Sequence, residues 1–192
     1  MSINSQNIED LIILCKQKNQ KAQFEVYNRY SKAMYNVAYR IVKDEHFAQD
    51  VMQEAFLKAF TKIDTFKEEV TFGAWLKKIV INYSIDFYKK NNRFQLEDLG
   101  TTVQKVEDDA SFFIDNLDLD SLKISNVFDS ILNLKDNYRM VLTLFYIEGY
   151  DHEEISEILK ITNANCRTTL NRAKNTLRKK LEELDRITKP CF

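Results

Sequence analysis

Glycine and proline are nearly missing from this chain, with three Gly and one Pro in 192 residues. Sandwiches and barrels use those residues at their tight turns, and strand-like alternation is equally scarce, so the balance leans strongly to an all-helical fold. The three cysteines, Cys15, Cys166 and Cys191, are odd in number and widely spaced. Neither a disulfide framework nor a metal site follows from them. The two histidines, His46 and His152, are isolated. His152 beside Glu153 and Glu154 is the nearest thing to a ligand cluster, but it lacks the HExxH spacing, and acids at a helix start are explained by the helix dipole. No metal, no cofactor and no enzymatic activity is expected. No apolar run approaches the roughly 20 residues that cross a bilayer. The opening "MSINSQNIEDLIILCKQKNQ" has neither a basic leader nor a signal-type apolar stretch, so no membrane insertion and a cytoplasmic location are expected.

What is present is the material of helices. Apolar residues make up 44% and charged residues 30%, a globular composition. The net charge of −1 conceals a pattern. Residues 1–93 carry 15 Lys+Arg against 11 Asp+Glu, residues 94–120 carry 1 against 8, and residues 121–192 carry 12 against 10. Two mildly basic segments thus flank an acidic one. This predicts an all-α protein of two small helical domains, 1–93 and 121–192, joined by an acidic linker, 94–120. A solvated acidic loop between two ordinary bundles would look the same at this level.

In the first segment, helices are predicted near 7–17, 21–42, 45–61 and 72–91, with the loop "DTFKEEVT" between the last two. The third, "EHFAQDVMQEAFLKAF", places Val51, Met52, Ala55, Phe56 and Ala59 on its inner face. Asp50, Gln53, Glu54 and Leu57 fall opposite, at i, i+3, i+4 and i+7. Carboxylates would repel phosphate, so this face suits a protein partner, or is plain solvated surface. The fourth, "FGAWLKKIVINYSIDFYKKNNR", gathers Phe72, Leu76, Ile79, Val80, Tyr83 and Phe87 on one face at 100° per residue. A second stripe carries Trp75, Lys78, Asn82, Lys89 and Arg93. Cations that follow phosphates and an aromatic that stacks on opened bases suit single-stranded nucleic acid. A core Trp with solvated lysines is the competing reading.

In the second segment, helices are predicted at 122–134 and 136–148, stopped by Gly149. Asp151 can cap a short helix through Leu159, and Thr162 can cap the next. That last helix turns Cys166, Leu170, Ala173, Leu177, Leu181 and Leu184 inward at spacings of three and four. Two helices across so short a turn, the second amphipathic and basic, make a helix-turn-helix. Asn165, Arg167, Thr168, Asn171 and Arg172 lie outward near its start, side-chain types that read base edges and grip phosphates in the major groove. Lys174, Arg178 and Lys179 continue as backbone contacts. Lys160 occupies the turn position that favours Gly, and a non-Gly residue in the left-handed conformation costs roughly 1–2 kcal/mol. Ser156 stands where Ala is usual.

With these motifs in order, the chain resembles an RNA polymerase sigma factor of the sigma-70 family, extracytoplasmic function (ECF) subfamily. "FAQDVMQEAFLKAF" resembles the helix that docks on core polymerase. "FGAWLKKIVINYSIDFYKKNN" resembles the helix that melts and reads the −10 element. "LKDNYRMVLTLFYIEGYDHEEISEILKITNANCRTTLNRAKNTLRKKL" resembles the domain that reads the −35 element. The resemblance implies a region 2-like bundle and a region 4-like four-helix domain. It assigns Asp50, Gln53 and Glu54 to the coiled coil of the polymerase β′ subunit, and Lys78 and Asn82 to the −10 strand. Arg167, Thr168 and Asn171 become −35 readers. The loop with Phe66 near its middle becomes the one that captures a flipped base. The acidic linker resembles the segment that runs through the RNA path. Partners so implied are core RNA polymerase, promoter DNA (duplex at −35, melted at −10) and an anti-sigma protein clamping both domains. Two departures stand out. Ile81 and Tyr83 flank Asn82 where small or basic residues are commoner, and Thr169 replaces a frequent Arg. The alternative is a free-standing helix-turn-helix regulator with a helical sensor domain. It would need a ligand pocket or a dimer seam, and the sequence offers neither.

Overall fold

The computed structural model describes residues 7–98 and 119–188, with side chains over 7–91 and 125–184. The chain divides into two compact units, Met1–Asp98 and Leu99–Phe192. Among the described residues every regular element is helical, and no helix is long and apolar enough to cross a membrane. The acidic stretch of the linker falls largely on 99–118, outside the described residues.

The first unit holds α1 (Ile8–Lys16), α2 (Gln20–Val42), α3 (Glu45–Thr61) and α4 (Phe72–Asp98). Their ends are written in the sequence. Asn7, Asn19 and Asp44 accept hydrogen bonds from the first-turn amides of α1, α2 and α3. Lys18 and Lys43 take left-handed backbone angles where α1 and α2 stop. α2, α3 and α4 pack on one another around Val26, Val37, Ile41, Val51, Phe56 and Leu76. Gly73 allows the closest approach: a Cβ there would stand 3.1 Å from the Tyr30 ring, which also meets Phe72 edge-on at 5.5 Å.

α4 departs from its predicted face. Ile81, Ser84 and Ile85 are buried with Phe72, Leu76 and Val80, whereas Ile79, Tyr83 and Phe87 are only half-buried. α4 packs against both α2 and α3, so its buried sector is wider and rotated relative to a single stripe. Ser84 survives burial because its hydroxyl donates to the Val80 carbonyl at 2.7 Å.

The second unit holds α5 (Leu119–Leu132), α6 (Asp136–Leu142), a single wide π turn (Thr143–Ile147), α7 (His152–Leu159) and α8 (Asn163–Thr188). Ile131, Val141, Leu142, Leu144, Ile155 and Leu170 form its centre. Arg139 is fully buried in that core, its guanidinium donating to Asp136 at 3.1 Å. Gly149 ends the π turn with φ 82°, which suits a residue without a Cβ. On α8, Cys166, Leu170 and Ala173 are buried as predicted, but Leu177 and Leu181 are half-buried and Leu184 is 38% exposed. The helix outruns the small core, so Leu177, Leu181 and Leu184 are covered less than the residues near its start.

Candidate polymerase and nucleic-acid surfaces

The helix-turn-helix is built by local hydrogen bonds. Asp151 accepts from the amides of Glu153 and Glu154, while the Glu154 carboxylate accepts from the Asp151 amide at 2.9 Å, a complete capping box. α7 ends on Lys160 at φ 59°, ψ 48°. The Ile161 amide donates to the Ser156 carbonyl, and the Lys160 amide to that of Glu157. These are the two bonds of a Schellman ending, and they hold a lysine in the conformation glycine prefers. Thr162 then caps α8, its hydroxyl accepting from the Asn165 amide at 3.2 Å. Ser156, buried against α8, satisfies its hydroxyl on the His152 carbonyl. Burial pushes the neighbouring Cys166 thiol above its ordinary range.

On α8, Asn165, Arg167, Thr168, Asn171 and Arg172 are all exposed. Two have local engagements: the Thr168 hydroxyl donates to the Ala164 carbonyl at 2.9 Å, and the Asn165 amide oxygen accepts from the Thr169 hydroxyl at 3.0 Å. Lys174 is half-buried. Its ammonium lies 5.0 Å from the Phe145 ring and 5.2 Å from that of Tyr146, so aromatics of the π turn hold it in place. That platform was missed in the sequence because the contact spans nearly thirty residues.

In the first unit, Asp50, Gln53, Glu54 and Leu57 all face solvent on α3, with Leu57 61% exposed. The inner face of the same helix is core, and this acidic face is open to a partner. The seam between α3 and α4 adds residues that sequence reasoning left out. Phe47, 40% exposed, tilts against Phe87 at 5.3 Å, and the Lys58 ammonium sits 3.6 Å over the Tyr83 ring. Burial, and then the Glu54 charge, raise the Tyr83 phenol above its ordinary range. The i, i+4 spacing of Tyr83 and Phe87 was a usable signal, but it was spent on an inner face.

Along α4, Lys78, Asn82 and Lys89 are exposed on one stripe, which Asp86 borders with a carboxylate. Arg93 lies on the same helix, outside the residues whose side chains are described. Trp75 is half-exposed and braced by Phe66 at 5.4 Å and Phe72 at 5.5 Å. Phe66, expected to meet a flipped base, is only 5% exposed and packs edge-on to Phe72 at 5.6 Å, so in the free chain it anchors the loop to α4. Beyond Phe66 the loop is exposed over Lys67–Thr71, where Glu68 takes a left-handed φ of 63°. Among the described residues no group of three or more His, Cys, Asp or Glu could hold a metal ion.

Comparison with known proteins identifies the family. The family Sigma-70 region 2 matches residues 26–94, and the family Sigma-70, region 4 matches residues 126–177. The chain is similar to the ECF RNA polymerase sigma factor SigW of Bacillus subtilis, at 32% identity over 88% of this chain and 94% of that protein. It is also similar to the ECF RNA polymerase sigma-E factor of Haemophilus influenzae, at 26% identity over 91% of this chain and 95% of the other. In fold it is similar to the sigma factor RpoE of Bartonella quintana, crystallised with the anti-sigma factor NepR, with a TM-score of 0.59, 21% identity, and coverage of 82% of this chain and 95% of that one. α3 with its acidic outer face lies inside the first matched region, and α7 with the start of α8 inside the second: the chain is a member of the ECF group of the sigma-70 family of RNA polymerase sigma factors.

Proposed function

We propose that the chain performs its sigma-factor role, directing core RNA polymerase to promoters, through three surfaces. The outer face of α3, with Asp50, Gln53, Glu54 and Leu57, docks on the coiled coil of the polymerase β′ subunit. The α4 stripe of Trp75, Lys78, Asn82, Lys89 and Arg93 takes the opened −10 strand. Trp75 offers a braced, half-exposed ring for stacking, and Lys78 and Lys89 offer charge for phosphates. The loop Lys67–Thr71 receives the flipped base, with Phe66 as its anchor. On α8, Asn165, Arg167, Thr168, Asn171 and Arg172 read the −35 duplex, and Lys174 grips a phosphate from its aromatic platform. Catalysis belongs to polymerase, the chain works in the cytoplasm, and an anti-sigma protein covering the docking and −35 faces is its regulator.

The observation that carries this reading is the outward alignment of Asp50, Gln53, Glu54 and Leu57 on a helix whose other face is buried. Carboxylates beside an exposed Leu suit a basic protein surface and not DNA. The mild charge of each domain agrees: DNA binding depends on polymerase for most of its affinity. The test is capture of bacterial core RNA polymerase, freed of other sigma factors, by the purified chain beside the Asp50→Arg/Glu54→Arg variant. The wild type binds and the variant does not. A wild type that fails to bind core overturns the docking assignment and favours a free-standing regulator.

A further inference from the structure

The α3–α4 seam holds an arrangement that the docking surface alone does not explain. Phe47, Glu54 and Lys58 lie at i, i+7 and i+11, along one line of α3. Glu54 and Lys58 are therefore i, i+4 neighbours, in the order that favours an ion pair on a helix surface. That pair is not made. The Lys58 ammonium lies instead 3.6 Å above the Tyr83 ring of α4, and among the described residues Glu54 forms no ion pair. Elsewhere in the same unit the opportunity is taken: Arg29 closes on Glu25, also four residues away, at 2.7 Å.

The difference lies in what α4 offers. Tyr83 is half-buried and its face is turned to α3, so it gives a cation a place to rest without full desolvation. With Lys58 held there, the Glu54 carboxylate stands bare on the outer face, next to Asp50 and Leu57. A bare carboxylate gains the whole of its attraction to an incoming cation, whereas one already paired must first give up its partner. Tyr83 also stands where the family resemblance leads one to expect a small or basic residue, so the device is a property of this chain.

We propose that Tyr83 is a positioning residue for polymerase docking: its ring sequesters Lys58 and so leaves Glu54 unpaired for a cationic segment of the partner. This rests on the assignment of Glu54 to the docking face.

The experiment is a titration of core RNA polymerase at low ionic strength with the full chain and five variants, each first checked for native thermal unfolding. Glu54→Gln weakens binding; if it binds core as tightly as the wild type, the docking role of Glu54 fails, and this inference with it. Tyr83→Leu releases Lys58 onto Glu54 and weakens binding by about twofold, the scale of one surface i, i+4 pair. Tyr83→Phe keeps the ring and binds like the wild type. Lys58→Met removes the competitor, and Tyr83→Leu/Lys58→Met binds as tightly as Lys58→Met alone. If Tyr83→Leu weakens binding equally with and without Lys58, the ring acts by contact or packing and the proposal is overturned even though Glu54 docks.

Discussion

Replacing Phe66 separates a core anchor from a base-reading aromatic. The ring is 5% exposed and meets Phe72 at 5.6 Å and Trp75 at 5.4 Å. Truncating a buried Phe to Ala costs about 3–5 kcal/mol, which includes aromatic contacts of about 0.5–1.5 kcal/mol apiece. In a domain of this size each kcal/mol moves the midpoint by about 4–8 °C, so Phe66→Ala lowers the Tm of the first unit by at least about 12 °C. Phe66→Leu keeps an apolar filler and costs less than Ala, because most of the volume is retained. The assay pairs thermal unfolding, followed by circular dichroism, with promoter opening by reconstituted polymerase, read by permanganate footprinting of the −10 strand. Phe66→Leu, assayed well below its Tm, opens the promoter as the wild type does if the ring serves only as an anchor. The reasoning is refuted if Phe66→Ala leaves Tm within about 1 °C of the wild type, or if Phe66→Leu is stable and yet fails to open DNA.

Two further outcomes follow from the second unit. Thr162→Ala removes the hydroxyl that accepts from the Asn165 amide and destabilises the unit by about 1 kcal/mol, as for other N-caps, with Tm as the readout; Thr162→Ser restores it. Tyr150 has a phenol pushed up to about 12, first by burial and then by the charges of Glu148 and Glu154. Its folded value lies above its unfolded value near 10, so the stability it contributes is intact below pH 10 and is lost as pH rises towards 12. Urea unfolding across pH 9–12 shows that fall in the wild type and a shallower one in Tyr150→Phe.

The readable features were those decided within about four residues of chain. Asn19, Asp44, Asp151 and Thr162 cap helices because their side chains reach amides two or three residues on. Lys160 was singled out as a strained turn residue, and it takes φ 59°. The outer face of α3 came out whole because that helix buries a single stripe. α4 did not, because Ile81, Ser84 and Ile85 join its buried sector, and periodicity cannot say how wide a buried sector will be. The burial of Phe66 was illegible for a related reason. A Phe in a polar loop looks available, and only the arrival of Phe72 and Trp75 around it makes it core.

The sequence by itself determined the helical class, the two basic halves around an acidic stretch, the caps and turn of the helix-turn-helix, and which residues of α3 and α8 face outward. All of these rest on composition, period and short-range hydrogen bonding. Tertiary structure alone decided the contacts between residues far apart in the chain. It put Lys174 on Phe145 and Tyr146, Lys58 on Tyr83, and Arg139 in the core of the second unit. A cation can rest on any nearby ring or carboxylate, and which one it meets depends on how neighbouring helices pack, a quantity with no local signature.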